Sequence, residues 1–465
     1  MELFTDRPGD EGLAGRQRAL ALIALMTSTT MAVFDGAMVN IALPQIARVL
    51  HVSAGEAVWV ANGYLLSAAM TLAIFAALAA RMGFRTLFAS GLLLFTLASL
   101  GCALSSSLSA LVIMRVLQGI GGAATLSIAP AILRSIFPTR LLGRILGINA
   151  LLIATSTAIA PVIGGALLSA LGWQWLFAIN IPLGAIALVF ALRVIPGKTV
   201  SVSGPFDVQG ALFSALMLGA AIMASTAISY TSTACAVVAV ASGLAFVRRQ
   251  RRAPQPLLPL GLFASPRFSL AALTSLASFI SQGVTFVALP FLFQNVYGYS
   301  AFTSALLFTA WPVGIILVAP HAGRLADRYA PAKIATAGLL LFAIGLLLLA
   351  LLPQNAAAWD ISLRGLICGM GFGCFQSPNN REMLASASRE HSGYASGVLA
   401  IVRTFGQCLG AALVGVMLAL CAPTGAIVQE ALAIRLGLWL AMIATLLAIA
   451  FSLSRLRQLP NQAVR

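Results

Sequence analysis

The feature that most constrains this chain is a succession of apolar runs, each long enough to cross a lipid bilayer. About 20 apolar residues span the hydrocarbon core as a helix, and such runs follow one another along the 465 residues. The fourteen predicted spans cover residues 20–43, 57–80, 86–105, 110–135, 142–171, 176–195, 208–229, 233–247, 269–293, 301–321, 334–352, 361–384, 394–421 and 431–453. Because lipid offers the backbone no hydrogen-bond partners, runs of this length predict an all-α polytopic membrane protein. The eighth run is short, and both a tilted span and a re-entrant segment fit its length.

The composition excludes two other classes of protein. Hydrophobic residues make up 60% of the chain and charged residues 9%, which leaves too little polar surface for a soluble protein of this size. A net charge of +16 would suit a nucleic-acid-binding protein, but the basic residues lie in short loops between apolar runs. Most of them fall on the side of the amino terminus, so the positive-inside rule predicts that both termini are cytoplasmic.

An internal repeat and a polar linker divide the chain into two halves. Residues 76–83 (AALAARMG) resemble residues 323–330 (GRLADRYA), and each copy follows the second span of its half. The stretch 248–268 is basic and then proline-rich, which indicates a linker. The predicted parts are a cytoplasmic segment 1–19, a six-helix bundle 20–195, two additional helices in 196–247, the linker 248–268, a second six-helix bundle 269–454 and a cytoplasmic tail 455–465. Parallel halves of this kind are typical of transporters with a substrate site between them.

One carboxylate stands inside the first apolar run. Asp35 lies between Phe34 and Gly36 in a stretch that is otherwise apolar from about Leu20. A charged side chain at membrane depth is costly, so such acids usually face a cavity or a partner and often carry protons or ions. The alternative is a structural acid that hydrogen-bonds to a neighbouring helix. Arg115 lies in the fourth run at a similar depth. Both residues are about 9 to 12 Å below the outer membrane surface.

Four further motifs together resemble the major facilitator superfamily, and more narrowly its fourteen-span drug:proton antiporter branch. They are residues 34–44 (FDGAMVNIALP), 115–123 (RVLQGIGGA), 160–165 (APVIGG) and 173–184 (WQWLFAINIPLG). Residues 393–398 (GYASGV), followed by Arg403 and Gly406, are similar to the family's pattern on a late span. The resemblance implies the major facilitator fold, here two six-helix bundles plus two extra central helices. It also implies that the first and fourth spans line a central cavity.

The resemblance implies proton exchange at Asp35, modulated by Arg115 and coupled to export of lipophilic or cationic drugs by alternating access. Protonation would release the ion pair and bias the two bundles toward the other access state. Arg115 could instead lock helices together by bonding to backbone carbonyls. No enzymatic activity and no cofactor is expected, because the proton gradient supplies the energy and no nucleotide-binding loop or metal cluster is present.

Several other residues are candidates for the site, each with interhelical packing as the alternative. The expected substrate-binding residues are Asn62, Tyr64, Gln118, Gln282, Phe286, Trp311, Gln376 and Arg403. The expected gating or hinge residues are Pro161, Gly164, Gly165, Asp327 and Arg328. Two positions depart from the family pattern: Ala80 replaces an acid, which Asp327 retains in the second copy, and Ala160 replaces a glycine. Glu382 and Glu390 are interpreted as solvated loop charges.

Other functions fit the same scaffold. The cargo could be a metabolite, an amino acid or a siderophore, and the direction of transport could be that of a symporter. A membrane enzyme or receptor is disfavoured, since no nucleophile constellation and no sizeable soluble domain is present. The expected partners are a small-molecule substrate, protons and the lipid bilayer, without nucleic acid. We expect a monomer in a bacterial inner membrane.

Overall fold

The computed structural model describes residues 4–6, 10–197, 206–226, 229–387 and 392–457. Within these ranges the regular structure is helical and no strand is present. The fourteen long helices of this part of the chain are α1 (Gly15–Val49), α2 (Trp59–Met82), α3 (Phe84–Leu104), α4 (Leu108–Ile136), α5 (Thr139–Ala170), α6 (Asn180–Val194), α7 (Val208–Ser225), α8 (Tyr230–Arg252), α9 (Pro266–Phe291), α10 (Ala301–Arg328), α11 (Pro331–Ala350), α12 (Ala358–Ala385), α13 (Ser392–Cys421) and α14 (Ile427–Leu456).

Short polar side chains cap several of these helices. Ser53 and Glu56 form a capping box on a one-turn helix, Ala54–Ala57, just before α2. Asp207 caps α7 by accepting a hydrogen bond from the Gly210 N–H. Such caps satisfy backbone groups that a helix end leaves free, so the helices begin where the apolar runs predict.

The predicted spans agree with the observed helices. Thirteen helical segments of the described chain are long and apolar enough to cross a membrane. The remaining helix, α12, is less apolar because it carries Asp360, Arg364, Arg381 and Glu382. The short eighth run is part of a continuous helix of 23 residues, α8, whose last turn contains arginines placed in the predicted linker. This length fits a full span rather than a re-entrant segment.

The same packing pattern occurs twice, which confirms the predicted fold class. In α1–α6, the helix pairs α1/α5, α1/α6, α2/α4, α3/α4 and α3/α6 pack together. In α9–α14, the equivalent pairs α9/α13, α9/α14, α10/α12, α11/α12 and α11/α14 do the same. Across the two sets, α5 packs against α10 and α2 against α13, again as equivalent pairs. Helix α7 contacts α8, α2 and α13, and α8 packs mainly on α7.

We call the end of the bundle where α1 begins the terminal end and the end where α1 finishes the far end. The two six-helix sets meet closely at the far end. An ideal Cβ on Gly55 would lie 2.9 Å from the Gly415 carbonyl oxygen, and Gln294 donates a 2.7 Å hydrogen bond to the Ile41 carbonyl. At the terminal end, a Cβ on Gly393 or Gly397 would meet open space. The structure is therefore closed at the far end.

Candidate functional site

Asp35 and Arg115 form a buried ion pair between α1 and α4. The Arg115 Nη1 atom donates to Asp35 Oδ2 at 2.5 Å, and the side chains are 1% and 0% exposed, respectively. Two charges removed from water in this way are stable only when the remaining polar atoms also have partners. The structure thus confirms that the acid and the guanidinium meet, while their role in proton coupling stays a prediction.

Gln118 supplies the partners that the ion pair needs. Its Nε2 atom donates to Asp35 Oδ1 at 2.9 Å and to Ser99 Oγ at 2.9 Å, while its Oε1 atom accepts from Arg115 Nη1 at 2.6 Å. Arg115 and Gln118 are three residues apart on α4 and so share one helix face. Gln118 is fully buried and bonded to Asp35, and its role in substrate binding stays a prediction.

Arg115 also fulfils the alternative interpretation, because it bonds to the backbone of a neighbouring helix. Its Nε atom donates to the Val60 carbonyl of α2 at 2.8 Å. The guanidinium carbon lies 4.6 Å from the centroid of the Tyr64 ring and 5.5 Å from that of Phe177. These aromatic faces attract the cation and exclude water from it. Arg115 therefore joins α1, α2 and α4 through one side chain.

Glycine at position 119 allows this close arrangement. A Cβ on Gly119 would overlap the Tyr64 carbonyl oxygen and the Ser67 hydroxyl, so only glycine lets α2 approach α4 here. The approach brings the Tyr64 ring beneath Arg115. The motif 115–123 thus provides both the charged group and the close helix contact that holds it.

The predicted substrate-binding residues divide into a polar and an aromatic group. Gln282 of α9 accepts a 2.8 Å hydrogen bond from Gln407 of α13. Phe286 and Trp311 stand edge to face, with centroids 5.3 Å apart, although Trp311 is buried. Gln376 of α12 is half-buried.

Asn62 and Arg403 lie where the two sets of helices meet. The Asn62 carboxamide can donate to the Cys408 carbonyl at 3.2 Å and accept from the Ala412 N–H at 3.3 Å, which ties α2 to α13. Arg403 of α13 is exposed. Substrate binding by these residues stays a prediction.

Pro161, Gly164 and Gly165 lie in a closely packed part of α5. A Cβ on Gly164 would be 2.7 Å from Met38 Cγ of α1, and one on Gly165 would be 2.6 Å from Ala305 Cβ of α10. Of the two alternatives, these contacts support close packing of small residues at helix interfaces. A hinge role for Pro161 stays a prediction.

Asp327 is paired within its own half of the chain. Its carboxylate forms an ion pair with Arg381 of α12, and the adjacent Arg328 is exposed. The ion pair joins the terminal ends of α10 and α12. The equivalent position in the amino-terminal copy is Ala80, which has no acid to offer.

One interpretation from the sequence was wrong. Glu382 is not a solvated loop charge, because it is only 8% exposed and its Oε2 atom lies 3.1 Å from Arg455 Nη1. Arg455, which was predicted to begin the tail, belongs to α14 and is fully buried. It also donates to Asn379 Oδ1 at 2.7 Å and to Ser452 Oγ at 3.0 Å. Glu390 lies outside the described residues.

A second polar group missed by sequence reasoning joins the two halves at the far end. Helix α9 continues from Phe291 into a π-helical turn, Leu292–Val296. Asn295 in this turn accepts from Arg48 Nη1 of α1 at 2.8 Å and donates to Glu430 of α14 at 2.9 Å. A cluster of polar residues at the close of an apolar span was the available signal. Among the described residues no group of His, Cys, Asp and Glu side chains is placed to hold a metal ion.

The sequence of the chain matches the family model described as Major Facilitator Superfamily over residues 25–411. The chain belongs to the major facilitator superfamily. Among solved structures, an auto-inhibited POT family peptide transporter superposes with a TM-score of 0.71 at 16% identity, covering 97% of this chain and 99% of that one. A likeness at this identity concerns the fold, which agrees with the repeated packing described above.

Similar members of the superfamily have different names. An uncharacterized transporter of Escherichia coli, YebQ, is 43% identical over 88% of this chain and 91% of its own. The tetracenomycin C resistance and export protein of Streptomyces glaucescens is 32% identical over 88% and 77%. The riboflavin transporter RibZ of Clostridioides difficile is 28% identical over 85% and 87%. These relatives, the superfamily and the helices establish a multi-pass membrane transporter.

Proposed function

We propose that this superfamily member exports lipophilic toxic compounds in exchange for protons, with Asp35 as the proton-carrying group. The observation that carries the proposal is the buried unit of Asp35, Arg115 and Gln118. A carboxylate has a charged and a neutral form that differ by one proton, and an arginine partner favours the charged form. A buried acid of this kind in a membrane span is a typical proton site.

The unit links protonation to helix packing. Arg115 contacts Asp35 of α1 and the Val60 carbonyl of α2, so loss of the Asp35 charge would leave a buried cation without its counter-ion. That cost favours a different arrangement of α1, α2 and α4. With both termini in the cytoplasm, the closure at the far end corresponds to an inward-facing state. The proposed setting is a monomer in a bacterial cell membrane.

The cargo is proposed from relatives and from the site. Resistance and export proteins among the relatives support toxic compounds as substrates. A cationic drug would have to displace Arg115 from Asp35, which has no exposed surface. Lipophilic compounds without that requirement fit better. A metabolite is the second candidate, since a riboflavin transporter is among the relatives.

The experiment is gradient-driven uptake into proteoliposomes, with radiolabelled chloramphenicol as an uncharged lipophilic drug and riboflavin as a neutral metabolite. An acidic lumen drives uptake by an antiporter, whereas an acidic exterior drives uptake by a symporter, whichever way the protein is inserted. The test variant is Asp35→Asn. Its matched control is Asp360→Asn, which also removes a helix aspartate that pairs with an arginine, Arg364, but lies outside the buried unit.

We expect uptake with an acidic lumen in the parent and in Asp360→Asn. We expect Asp35→Asn to lose gradient-driven uptake yet retain substrate exchange at equal pH, which shows that the variant folds and binds. Uptake driven equally well in Asp35→Asn would remove the residue from the coupling mechanism. Uptake of riboflavin alone would favour the metabolite exporter, and uptake only with an acidic exterior would favour a symporter.

A further inference from the structure

Arg403 combines depth in the membrane with exposure. It lies eleven residues from the start of α13, which corresponds to about 16 Å along the helix axis and thus about half of the hydrocarbon thickness. Its side chain is exposed. Two residues that share its helix face contact other helices: Ala400 packs against α2, and Gln407 donates to Gln282 of α9. An exposed side chain between two such contacts lies on the wall of an internal cavity.

The position of Arg403 relative to α2 places this cavity between the two six-helix sets. On the preceding turn of α13, Ala400 and Ile401 pack against Ala68 and Leu72 of α2. Arg403 therefore faces the other half of the molecule, and it is too deep for its side chain to reach the lipid head groups.

Within the described part of the chain, no carboxylate pairs with Arg403. The other deep charge, Asp35, is already held by Arg115 and Gln118. One turn along α13, Gln407 donates to Gln282, so its own carboxamide oxygen is the acceptor that remains beside Arg403. The surroundings thus offer amides and apolar surface, and no carboxylate among the described residues pairs with the guanidinium.

We infer that Arg403 is an anion-binding subsite and that the preferred substrates are lipophilic organic anions, such as aromatic carboxylates. This inference rests on the proposed export function and specifies its substrate class. An uncompensated guanidinium at the membrane midplane is costly, and a ligand carboxylate would supply both charge and two acceptor oxygens in the geometry that arginine favours. The apolar residues of α2 beside it suit an aromatic body.

The test uses three pyrene probes that differ in charge: pyrenebutyrate, its methyl ester and pyrenemethylammonium. Binding is followed by energy transfer from the tryptophans of the full chain in phosphatidylcholine discs, without a proton gradient. The variants are Arg403→Gln and Arg403→Lys. The matched control is Arg435→Gln, which removes another exposed arginine of the same half, on α14 nearer the far end.

We expect the parent and Arg435→Gln to bind pyrenebutyrate more tightly than its ester or the cation. Arg403→Gln should weaken pyrenebutyrate binding about tenfold or more, as loss of a charged hydrogen bond does, and leave ester binding within about twofold. Arg403→Lys should restore part of the preference because it keeps the charge but not the paired donors. Unchanged ester binding shows that Arg403→Gln still folds.

Equal affinity of the parent for anion and ester, or equal anion binding by parent and Arg403→Gln, would overturn the inference. Loss of pyrenebutyrate binding in phosphatidylglycerol discs would also overturn it, because a lipid phosphate would then be the occupant. Binding is measured without transport, so a failure of gradient-driven uptake would count against the proposed export function alone.

Discussion

At the scale of single residues, the buried charges of this protein are stable because they share partners. Arg455 reaches Glu382, Asn379 and Ser452, and Ser452 in turn bonds to Thr336 at 2.7 Å. The cluster joins the terminal ends of α11, α12 and α14. Its charges have left water, so each depends on the presence of the other.

We expect Arg455→Met to lower the free energy of unfolding by about 3 to 5 kcal/mol, because it leaves Glu382 buried without a counter-ion. The double variant with Glu382→Met should recover much of that loss, since no unpaired charge remains. The measurement is thermal unfolding of the purified protein in detergent. A double variant less stable than Arg455→Met would contradict this account.

Sequence reasoning could find Asp35 and Arg115 but not Glu382 and Arg455, for a physical reason. A charge inside a long apolar run is far from bulk solvent, so a partner at equal depth or a cavity is expected beside it. A charge at the end of a run looks the same whether water or another helix covers it. Gln118 illustrates a second difficulty. Its polarity is visible in the sequence, but periodicity does not show which face of an all-apolar helix meets a neighbouring helix.

At the scale of elements, α5 shows how small residues position the two halves. Gly165 contacts α10 so closely that a side chain there would meet Ala305 Cβ at 2.6 Å and the Ala301 carbonyl oxygen at 3.0 Å. This contact lies at the far end of the bundle, as the Gly55 region does.

We expect Gly165→Leu to separate α5 from α10 and so to open the far end. Maleimide labelling of a Gly415→Cys reporter at the far end should then increase, with the labelled cysteine identified by peptide mass spectrometry. Gly36→Leu is the control, because a Cβ at Gly36 meets no atom within 4 Å. Equal labelling in the two variants would show that the α5/α10 contact does not hold the far end closed.

Hydrogen bonds to one aspartate hold the hairpin of α7 and α8 together at the terminal end. Asp207, just before α7, accepts hydrogen bonds from Gly210, Arg249 and Gln250. Burial raises the pKa of its carboxyl, but the hydrogen bond and charge of Arg249, with the bonds from Gly210 and Gln250, outweigh burial and lower the pKa below its usual range. The charged form of Asp207 therefore stabilises the hairpin.

A lowered pKa means that this stabilisation is present above the unfolded pKa of about 3.9 and is lost as the pH falls through the folded value. We expect Asp207→Asn to increase hydrogen exchange in α7 and α8 at pH near 7, by an amount that shrinks below about pH 4. Each comparison is made between parent and variant at one pH. If the difference in hydrogen exchange between parent and variant grew in acid, the expected sign would be wrong.

At the scale of the whole molecule, the two equivalent sets of helices are joined by two equivalent seams, α5/α10 and α2/α13. Repeats related in this way can rock against each other about a site between them. Gly55 and Gly415 lie on opposite sides of the α2/α13 seam, with backbones in contact. Their separation is therefore a direct measure of closure at the far end.

We expect the pair Val58→Cys and Gly415→Cys to form a disulfide in the resting protein, because an ideal Cβ on Gly415 lies 3.6 Å from Val58 Cβ. The disulfide should stop substrate exchange until a reductant is added. Either single variant is the control, since it keeps one thiol without a partner across the seam. Full exchange by the disulfide-linked protein would mean that the far end does not have to open during transport.

Much of the fold follows from hydropathy, because in lipid a helix of sufficient length is the only way to satisfy the backbone of each run. The repeat at 76–83 and 323–330 further indicates two equivalent halves. The seams between them are set by contacts such as Gly55 with Gly415, which depend on helix rotation and tilt. Those quantities leave little trace in a chain that is apolar on every face.

The π-helical turn at the end of α9 has a consequence for angular phase. A π turn is an α-helix that accommodates one additional residue, and one residue corresponds to about 100° of rotation about the helix axis. Within Leu292–Val296 the side chains are therefore displaced around the axis from the positions that a regular continuation of α9 would give them. The π turn thus sets the angle at which Gln294 and Asn295 meet α1, where they bond to the Ile41 carbonyl and to Arg48.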